Sequence, residues 1–163
     1  MDNKGVVAAS FTSIGLVNPK SPENVGSILR AAGCYGASSI FYTGTRYYRA
    51  SRYVTDTKKM HQRIPTLGVD DLRQVLPKGA RPVAVELSRQ AKPLINYQHP
   101  DKAFYIFGPE DGSIDRTLLD WCEDVVYIPT QGCMNLAATV NVVLYDRLCK
   151  SLLTQPALLS PVC

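Results

Sequence analysis

Three separated segments of the chain carry residue types that could do chemistry. They run from Asn18 to Gly33, from Phe107 to Gly112 and from Ile128 to Tyr145. Each places Gly, Pro, Asn or an acidic residue where an apolar strand pattern gives way to a loop or a helix. Since α/β proteins bind ligands at such strand ends, the three segments together predict a binding site.

The first segment contains Asn24 and Arg30 on a predicted helix from Pro22 to Tyr35. At about 100° per residue, positions six apart lie far from each other around the helix axis, so geometry alone does not pair them. Asn24 can equally be a polar residue that satisfies the first turn, and Arg30 one half of a surface ion pair. The other segments must decide between these roles and a functional one.

The second segment, Gly108 to Gly112 with Glu110 at its centre, lies between an apolar strand and a predicted helix. Glycines there let a ligand approach the backbone closely, but a tight strand-to-helix turn needs the same residues. The sequence lacks both the GxGxxG fingerprint and the GxxxxGK[ST] phosphate loop. Nicotinamide-dependent enzymes and P-loop nucleotide hydrolases therefore lose most of their support.

The third segment is a strand end followed by a loop that opens the last predicted helix. Asn135 is a plausible cap of that helix. Cys133, close to the same helix start, could act as a nucleophile. The only histidines, His61 and His99, have no recognisable catalytic context, and an inert thiol is the commoner case.

A basic segment follows the second predicted strand, with tyrosines interleaved among its charges. Its cations include Arg46, Arg49, Arg52, Lys58 and Lys59. Cations that neutralise phosphates beside rings that stack on bases are typical of looped or single-stranded RNA recognition. A solvated loop is the alternative.

Composition bounds the class of protein. The 163 residues, 45% of them hydrophobic, suit one domain over residues 1–163, with 154–163 a loose tail. The net charge of +4 permits a polyanionic partner. Five scattered cysteines without CxxC spacing predict neither disulfides nor a metal site, and no segment resembles a leader or a membrane span. We therefore expect a cytoplasmic protein.

Strand and helix patterns alternate along the chain. Strands are predicted over Gly5 to Val17, Ser38 to Thr43, Arg81 to Leu87, Ala103 to Phe107 and Asp124 to Ile128. Helices are predicted over Pro22 to Tyr35, Val69 to Leu76, Ile114 to Cys122 and Asn135 to Leu153. Ser21 can cap the first of these helices, Gly36 can end it, and its apolar stripe consists of Val25, Ile28, Leu29 and Ala32. This alternation predicts an α/β fold, with a mainly parallel sheet and helices on both faces.

Taken together, the three segments resemble the SpoU or TrmH branch of the SPOUT RNA methyltransferases. Asn18 to Ala32 is similar to the first motif of that family, Phe107 to Gly112 to its second, and Ile128 to Asp146 to its third. The resemblance covers nearly the whole chain and is greatest to minimal forms, such as those that modify the tRNA wobble nucleotide. It implies a deep trefoil knot at the C-terminal end of the fold.

The resemblance also implies an activity: methyl transfer from S-adenosyl-methionine to a ribose 2′-hydroxyl of tRNA or rRNA. The implied catalytic residues are Arg30, Asn24, Glu110 and Asn135. The implied cofactor-binding residues are Glu86, Leu87, Gly108, Ile128, Cys133 and Met134. A homodimer is implied as well, with the first and last helices at its interface and no metal ion in the site.

Two alternatives belong to other functional classes. A catalytically silent RNA-binding protein would keep the fold without the chemistry, and retention of the four catalytic-type residues argues against it. A small-molecule enzyme would use Cys133 as its nucleophile. The chain has Cys133 where the family usually has serine, and a thiol is a weak hydrogen-bonding group.

Overall fold

Seven strands form one parallel sheet in the computed structural model of the protein. The structure describes residues 10–47 and 63–154, and every element below lies within them. The strands are β1 (Phe11–Leu16), β2 (Ser39–Tyr42), β3 (Thr66–Gly68), β4 (Arg81–Val85), β5 (Lys92–Pro93), β6 (Lys102–Phe107) and β7 (Asp124–Tyr127). The predicted α/β class with a mainly parallel sheet is confirmed. The knot and the single-domain organisation stay predictions.

The strand order, β3-β2-β1-β6-β4-β7-β5, brings the ends of the motif-bearing strands to one edge. In register, Leu16 of β1 lies beside Phe107 of β6, and Phe107 lies beside Val85 of β4. Val85 in turn lies beside Val126 of β7. Because parallel strands share their carboxyl edge, the loops that follow β1, β4, β6 and β7 begin side by side.

Helices cover both faces of the sheet, as predicted. Helices α1 (Pro22–Cys34) and α3 (Leu136–Thr154) pack against each other on one face. Helix α2 (Arg116–Trp121) lies on the other face, beside a 3₁₀ turn at Leu72–Val75. Alternate residues of the central strands feed the two cores, so each side of the sheet is buried. No helix in residues 10–47 or 63–154 is long and apolar enough to cross a membrane.

The ends of α1 follow from its sequence. The Ser21 hydroxyl accepts a hydrogen bond from the backbone N–H of Asn24, and Pro22 takes the first helical position. Gly36 lies just beyond the helix with φ of +67°, a conformation that glycine adopts without a steric penalty. The predicted cap and stop are both confirmed. So is the buried stripe, made of Val25, Ile28, Leu29 and Ala32.

Two predicted helices were wrong in part. The segment 69–76 holds only the 3₁₀ turn Leu72–Val75, because Asp71 caps it and Pro77 follows at once. The segment 114–122 yields a shorter helix, since the Asp115 carboxylate caps its start by accepting from the N–H groups of Thr117 and Leu118. Strands β3 and β5 were missed because they are three and two residues long. The predicted strand residues 5–9 and most of the predicted tail lie outside the described residues.

A buried histidine joins α3 to the chain before β6. The His99 side chain is 5% exposed. A neutral ring with its proton on Nε2 donates to Asp146 Oδ2 at 2.7 Å and accepts from the Tyr105 hydroxyl at Nδ1, 2.5 Å away. Lys150 continues this contact, since its ammonium group donates to Asp146 Oδ2 and to the carbonyls of Leu94 and Tyr97. These bonds hold α3 against the sheet.

We predict that the free energy of unfolding decreases as the pH is lowered, because His99 is buried as a neutral ring. Burial lowers the pKa of His99, and although Asp146 opposes this, the net pKa lies below the ordinary value. As the pH falls, His99 becomes protonated near pH 6.5 in the unfolded chain but only at a lower pH in the folded chain. Its contribution to the free energy of unfolding is therefore fully present above pH 6.5 and declines as the pH approaches the lower folded-state pKa. Urea unfolding of the wild type should give a lower free energy of unfolding at pH 5.5 than at pH 7.5. This difference should be smaller in His99→Gln. Equal drops in the two proteins would contradict the prediction.

Candidate active site

One chain of hydrogen bonds links the three motif segments at the carboxyl edge of the sheet. The Asn24 side-chain amide donates to Glu110 Oε1 at 3.1 Å. The Asn135 amide donates to Asn24 Oδ1 at 2.7 Å. Asn135 Oδ1 accepts from the N–H groups of Ala137 and Ala138 and so caps α3, as predicted. Residues that are up to 111 positions apart in sequence are therefore bonded to one another.

Glu110 is the acceptor at one end of this series of hydrogen bonds. Its carboxylate also accepts from the backbone N–H groups of Lys20 and Ser21, at 3.0 and 2.9 Å. Partial burial raises the pKa of Glu110, but the bonds from Ser21, Asn24 and Lys20 outweigh it and hold the pKa below its usual range. Glu110 is thus an ionised brace between the loops after β6 and β1.

Arg30 stands apart from the other three predicted catalytic residues. Asn24 is 6% exposed and points into the network, whereas Arg30 lies on the exposed side of α1. Within the described part of the chain, Arg30 forms no hydrogen bond or ion pair. The expectation that helix geometry does not pair Asn24 with Arg30 is confirmed, and the guanidinium is available to a ligand.

A cleft of about 220 Å³ opens beside Glu110 at the ends of three adjacent strands. The loops after β4, β6 and β7 and the start of α3 form its walls. Its lining includes Glu86, Leu87, Gly108, Ile128, Cys133 and Met134, all six of the predicted cofactor-binding residues. Their role in binding stays a prediction, but the structure brings them to one place.

Glu86 shapes this cleft through the backbone. Its carboxylate accepts from the N–H of Leu87 and from the N–H of Ile114, both at 2.9 Å. A Cβ on Gly108 would lie 3.3 Å from the Ile114 side chain and 3.4 Å from Glu86 Oε2. Because glycine leaves this space free, the Gly108 backbone closes against Glu86 and forms part of the cleft wall.

Cys133 is exposed at the rim of the cleft. No histidine is among the residues that line the cleft within the described ranges. His99 instead bonds with Tyr105 and Asp146, and His61 lies outside the described residues. Within the described residues, Cys133 therefore has no histidine beside it in the cleft, and the nucleophile alternative gains no support.

The basic segment is described only at its start. Arg46 donates to the Asn18 carbonyl and to both carboxylate oxygens of Asp111. Tyr47 is buried and stacks on Tyr42, with ring centroids 3.9 Å apart. Arg49, Arg52, Lys58 and Lys59 lie outside the described residues, so their predicted RNA contacts stay predictions.

Sequence reasoning missed the side chains that surround Arg46. Lys20 Nζ also donates to Asp111 Oδ2 at 2.9 Å, so one carboxylate is shared by two cations. Asp111 lies next to Glu110 in the second motif, and Lys20 lies in the first. Their charges were readable from the sequence, but the pairing depends on how β1, β2 and β6 align. In the described residues, no group of three or more His, Cys, Asp or Glu side chains could hold a metal ion.

Comparison with known proteins places this geometry in a family. Residues 12–145 match the model of the SpoU rRNA Methylase family. The chain belongs to that family. It is 30% identical over 154 residues to tRNA (cytidine-2′-O-)-methyltransferase TrmJ of Methanocaldococcus jannaschii, a match that covers 82% of this chain and 66% of TrmJ.

Solved structures share the fold. The SpoU methyltransferase AviRb of Streptomyces viridochromogenes matches with a TM-score of 0.77 and 19% identity, over 91% of this chain and 63% of AviRb. The AdoMet-bound rRNA methyltransferase of Sinorhizobium meliloti matches with a TM-score of 0.74 and 22% identity, over 94% of this chain and 59% of that one. The chain thus spans about two thirds or less of the length of these three proteins.

We predict that Asn24→Ala lowers the free energy of unfolding by about 1–3 kcal/mol, because it leaves an acceptor of Glu110 and a donor of Asn135 without their partner. Asn141→Ala is the matched control, since Asn141 donates only to the Ala137 carbonyl one turn back on α3. Urea unfolding measures both. If Asn24→Ala were as stable as Asn141→Ala, the network would not carry the structural role described above.

Proposed function

We propose that the protein transfers the methyl group of S-adenosyl-methionine to a ribose 2′-hydroxyl of tRNA. The observation that carries this proposal is the hydrogen-bonded union of the three motif segments beside a cleft, in a member of the SpoU family. The curated relative TrmJ is a tRNA 2′-O-methyltransferase, which supports tRNA over rRNA. A cytoplasmic location is part of the proposal.

The cleft fits the cofactor in its chemistry. Leu87, Ile128 and Met134 offer apolar surface for an adenine ring, and the glycine backbone at Gly108 offers main-chain groups at close range. The S. meliloti relative has been solved with AdoMet, which supports the same assignment here. When bound, the sulfonium of S-adenosyl-methionine supplies an electrophilic methyl group.

In this proposal, the hydrogen bonds among Asn24, Glu110 and Asn135 position the site without touching the reacting atoms. The Asn24 amide oxygen and nitrogen are both engaged by protein partners, and the Glu110 carboxylate accepts from three residues. We therefore assign Asn24, Glu110 and Asn135 as positioning residues. They fix the distance between α1, which carries Arg30, and the loops that form the cleft.

Arg30 supplies charge to the reaction. Displacement at the methyl carbon by a ribose oxygen needs an aligned hydroxyl, loss of its proton and stabilisation of growing negative charge. A guanidinium with a pKa above about 12 is a poor proton acceptor. We therefore assign Arg30 to the phosphate beside the target ribose and to the developing alkoxide, while the competing assignment is that Arg30 removes the proton of the ribose hydroxyl.

The RNA partner meets the edge of the sheet next to the cleft. Arg46 begins the basic segment there, and the proposal assigns phosphate contacts to Arg46, Arg49, Arg52, Lys58 and Lys59.

Calorimetry with S-adenosyl-methionine and mapping of methylated nucleotides on tRNA test the two halves of the function. Cofactor binding without methylation of any RNA would favour the silent RNA-binding alternative.

A homodimer is the second part of the proposal. The last helix leaves several apolar side chains exposed to solvent on the described surface. They are Val142, Tyr145, Leu148 and Leu153. Helix α1, which packs against α3, exposes Arg30 and Cys34. A second copy seated on these helices would cover the apolar stripe and place its own residues near Arg30.

We expect Arg30→Ala to lower the rate of methyl transfer about 10²–10³-fold, the loss seen when one electrostatic stabiliser is removed. Cofactor affinity measured by calorimetry should change little, because Arg30 does not line the cleft and forms no hydrogen bond or ion pair within the described residues. Arg116→Ala, which removes another exposed arginine, is the control and should keep full activity.

Arg30→Lys separates the two roles of the residue. An electrostatic role predicts partial activity with a flat pH profile, whereas a base role predicts activity that rises with pH toward the lysine pKa. Wild-type turnover by Arg30→Ala would show that Arg30 is assigned wrongly.

We expect Tyr145→Asp to convert a dimer into a monomer, because a carboxylate at the centre of an apolar contact loses its solvation. Sedimentation velocity at micromolar concentration should give twice the 17.9 kDa chain mass for wild type and the chain mass for the variant. Leu67→Asp, at an exposed apolar site on β3, is the control and should remain dimeric. A monomeric wild type would refute this part of the proposal.

A further inference from the structure

Asp111 is held by two cations at the edge of the candidate active site. Arg46 Nη1 approaches Asp111 Oδ1 and Oδ2 at 3.1 and 2.9 Å, and Nη2 approaches Oδ1 at 3.1 Å. Lys20 Nζ lies 2.9 Å from Oδ2. This is a planar two-oxygen anion in a guanidinium fork with an ammonium beside it, which is the arrangement that proteins use for phosphate.

Arg46 is fixed in this orientation from its other edge. Nε and Nη2 both donate to the Asn18 carbonyl, at 3.1 and 2.5 Å. Asn18 itself has φ of +44°, and its side chain packs so closely that a Cβ on Gly44 would lie 2.2 Å from Asn18 Oδ1. The Nε and Nη2 edge of the guanidinium is therefore occupied by the Asn18 carbonyl, and the Nη1 and Nη2 edge is occupied by Asp111.

The Asp111 carboxylate differs from the neighbouring Glu110 in how easily it can be displaced. Glu110 accepts from backbone N–H groups that cannot move away. Within the described residues, Asp111 accepts hydrogen bonds only from side chains, and the side chains of Asp111, Arg46 and Lys20 are 45%, 30% and 50% exposed. Exposed ion pairs add little stability, so an incoming anion can take over the cations at small cost.

We propose that Asp111 occupies the place of an RNA phosphate, and that a phosphate of the bound substrate displaces it from Arg46 and Lys20. The two cations carry one more charge than Asp111 neutralises, and the adjacent anion, Glu110, is held by the backbone N–H groups of Lys20 and Ser21 and by Asn24. After the exchange, the Asn18 carbonyl keeps Arg46 aimed at the phosphate. The inference rests on the proposed function, because it takes RNA as the substrate.

Asp111→Asn tests the exchange, because a neutral amide no longer competes for the cations. Binding of fluorescein-labelled bulk tRNA, followed by anisotropy at one fixed ionic strength, should tighten about fivefold, the scale of one exposed ion pair. Asp111→Ala should give the same result and serves if the first variant fails to fold. Adding Arg46→Gln to Asp111→Asn should abolish the gain. Unchanged or weaker binding by both Asp111 variants would overturn the proposal.

Asp120→Asn controls for the change in net charge. Asp120 is held by Arg116 Nε at 3.1 and 3.0 Å, on the helix that returns toward the amino edge of the sheet. Removing the negative charge of Asp120 should leave tRNA affinity nearly unchanged. If Asp120→Asn raised tRNA affinity as much as Asp111→Asn does, the effect would be one of net charge and the inference would be overturned.

If wild type neither binds nor methylates tRNA, the proposed function itself fails. If wild type methylates tRNA and the Asp111 variants bind no tighter, only the exchange is refuted.

Discussion

The structure depends on the need to satisfy one buried amide. Asn24 is 6% exposed, so its donor and acceptor groups must find partners within the protein. The donor finds Glu110 and the acceptor finds Asn135. Each of these partners is tied in turn to a backbone segment, Glu110 to the loop after β1 and Asn135 to the start of α3. The loops after the paired strands β1 and β6 are thereby fixed to the start of α3, although β7, the strand before α3, pairs with neither of them.

This dependence divides the polar residues of the site into two groups. Asn24 has given both sides of its amide to the protein, and Glu110 and Asn135 each accept from backbone N–H groups as well. Two exposed cations have capacity to spare, namely Arg30, with no partner in the described chain, and Lys20, with one carboxylate oxygen. Under the proposed function, rigid positioning and substrate contact belong to different side chains, and this separation suits a reaction that depends on alignment.

Much of this could be predicted from local sequence, because the signals are local. Ser21 with Pro22 starts α1, Gly36 ends it, and Asn135 caps α3. The four-residue turn at Leu72–Val75 escaped prediction, since Asp71 and Pro77 leave no room for a full helix in an otherwise periodic segment. The Asp111 contacts escaped for another reason. Arg46 and Asp111 are 65 positions apart, and only the alignment of parallel strands brings them together.

Arg30 and Arg46 show why residue type alone does not assign a role. Both are arginines, and both were predicted to act on RNA. Arg46 donates to the Asn18 carbonyl and to Asp111, so any phosphate must first displace a protein anion. Arg30 faces solvent without a counterion in the described residues, so its full charge is available to an oxygen that becomes negative during reaction. A charge already neutralised in the ground state stabilises a transition state less, because the existing pair must be broken or shared. The acceptors around each guanidinium therefore support the proposal that Arg30 serves the chemistry and that Arg46 captures the substrate backbone.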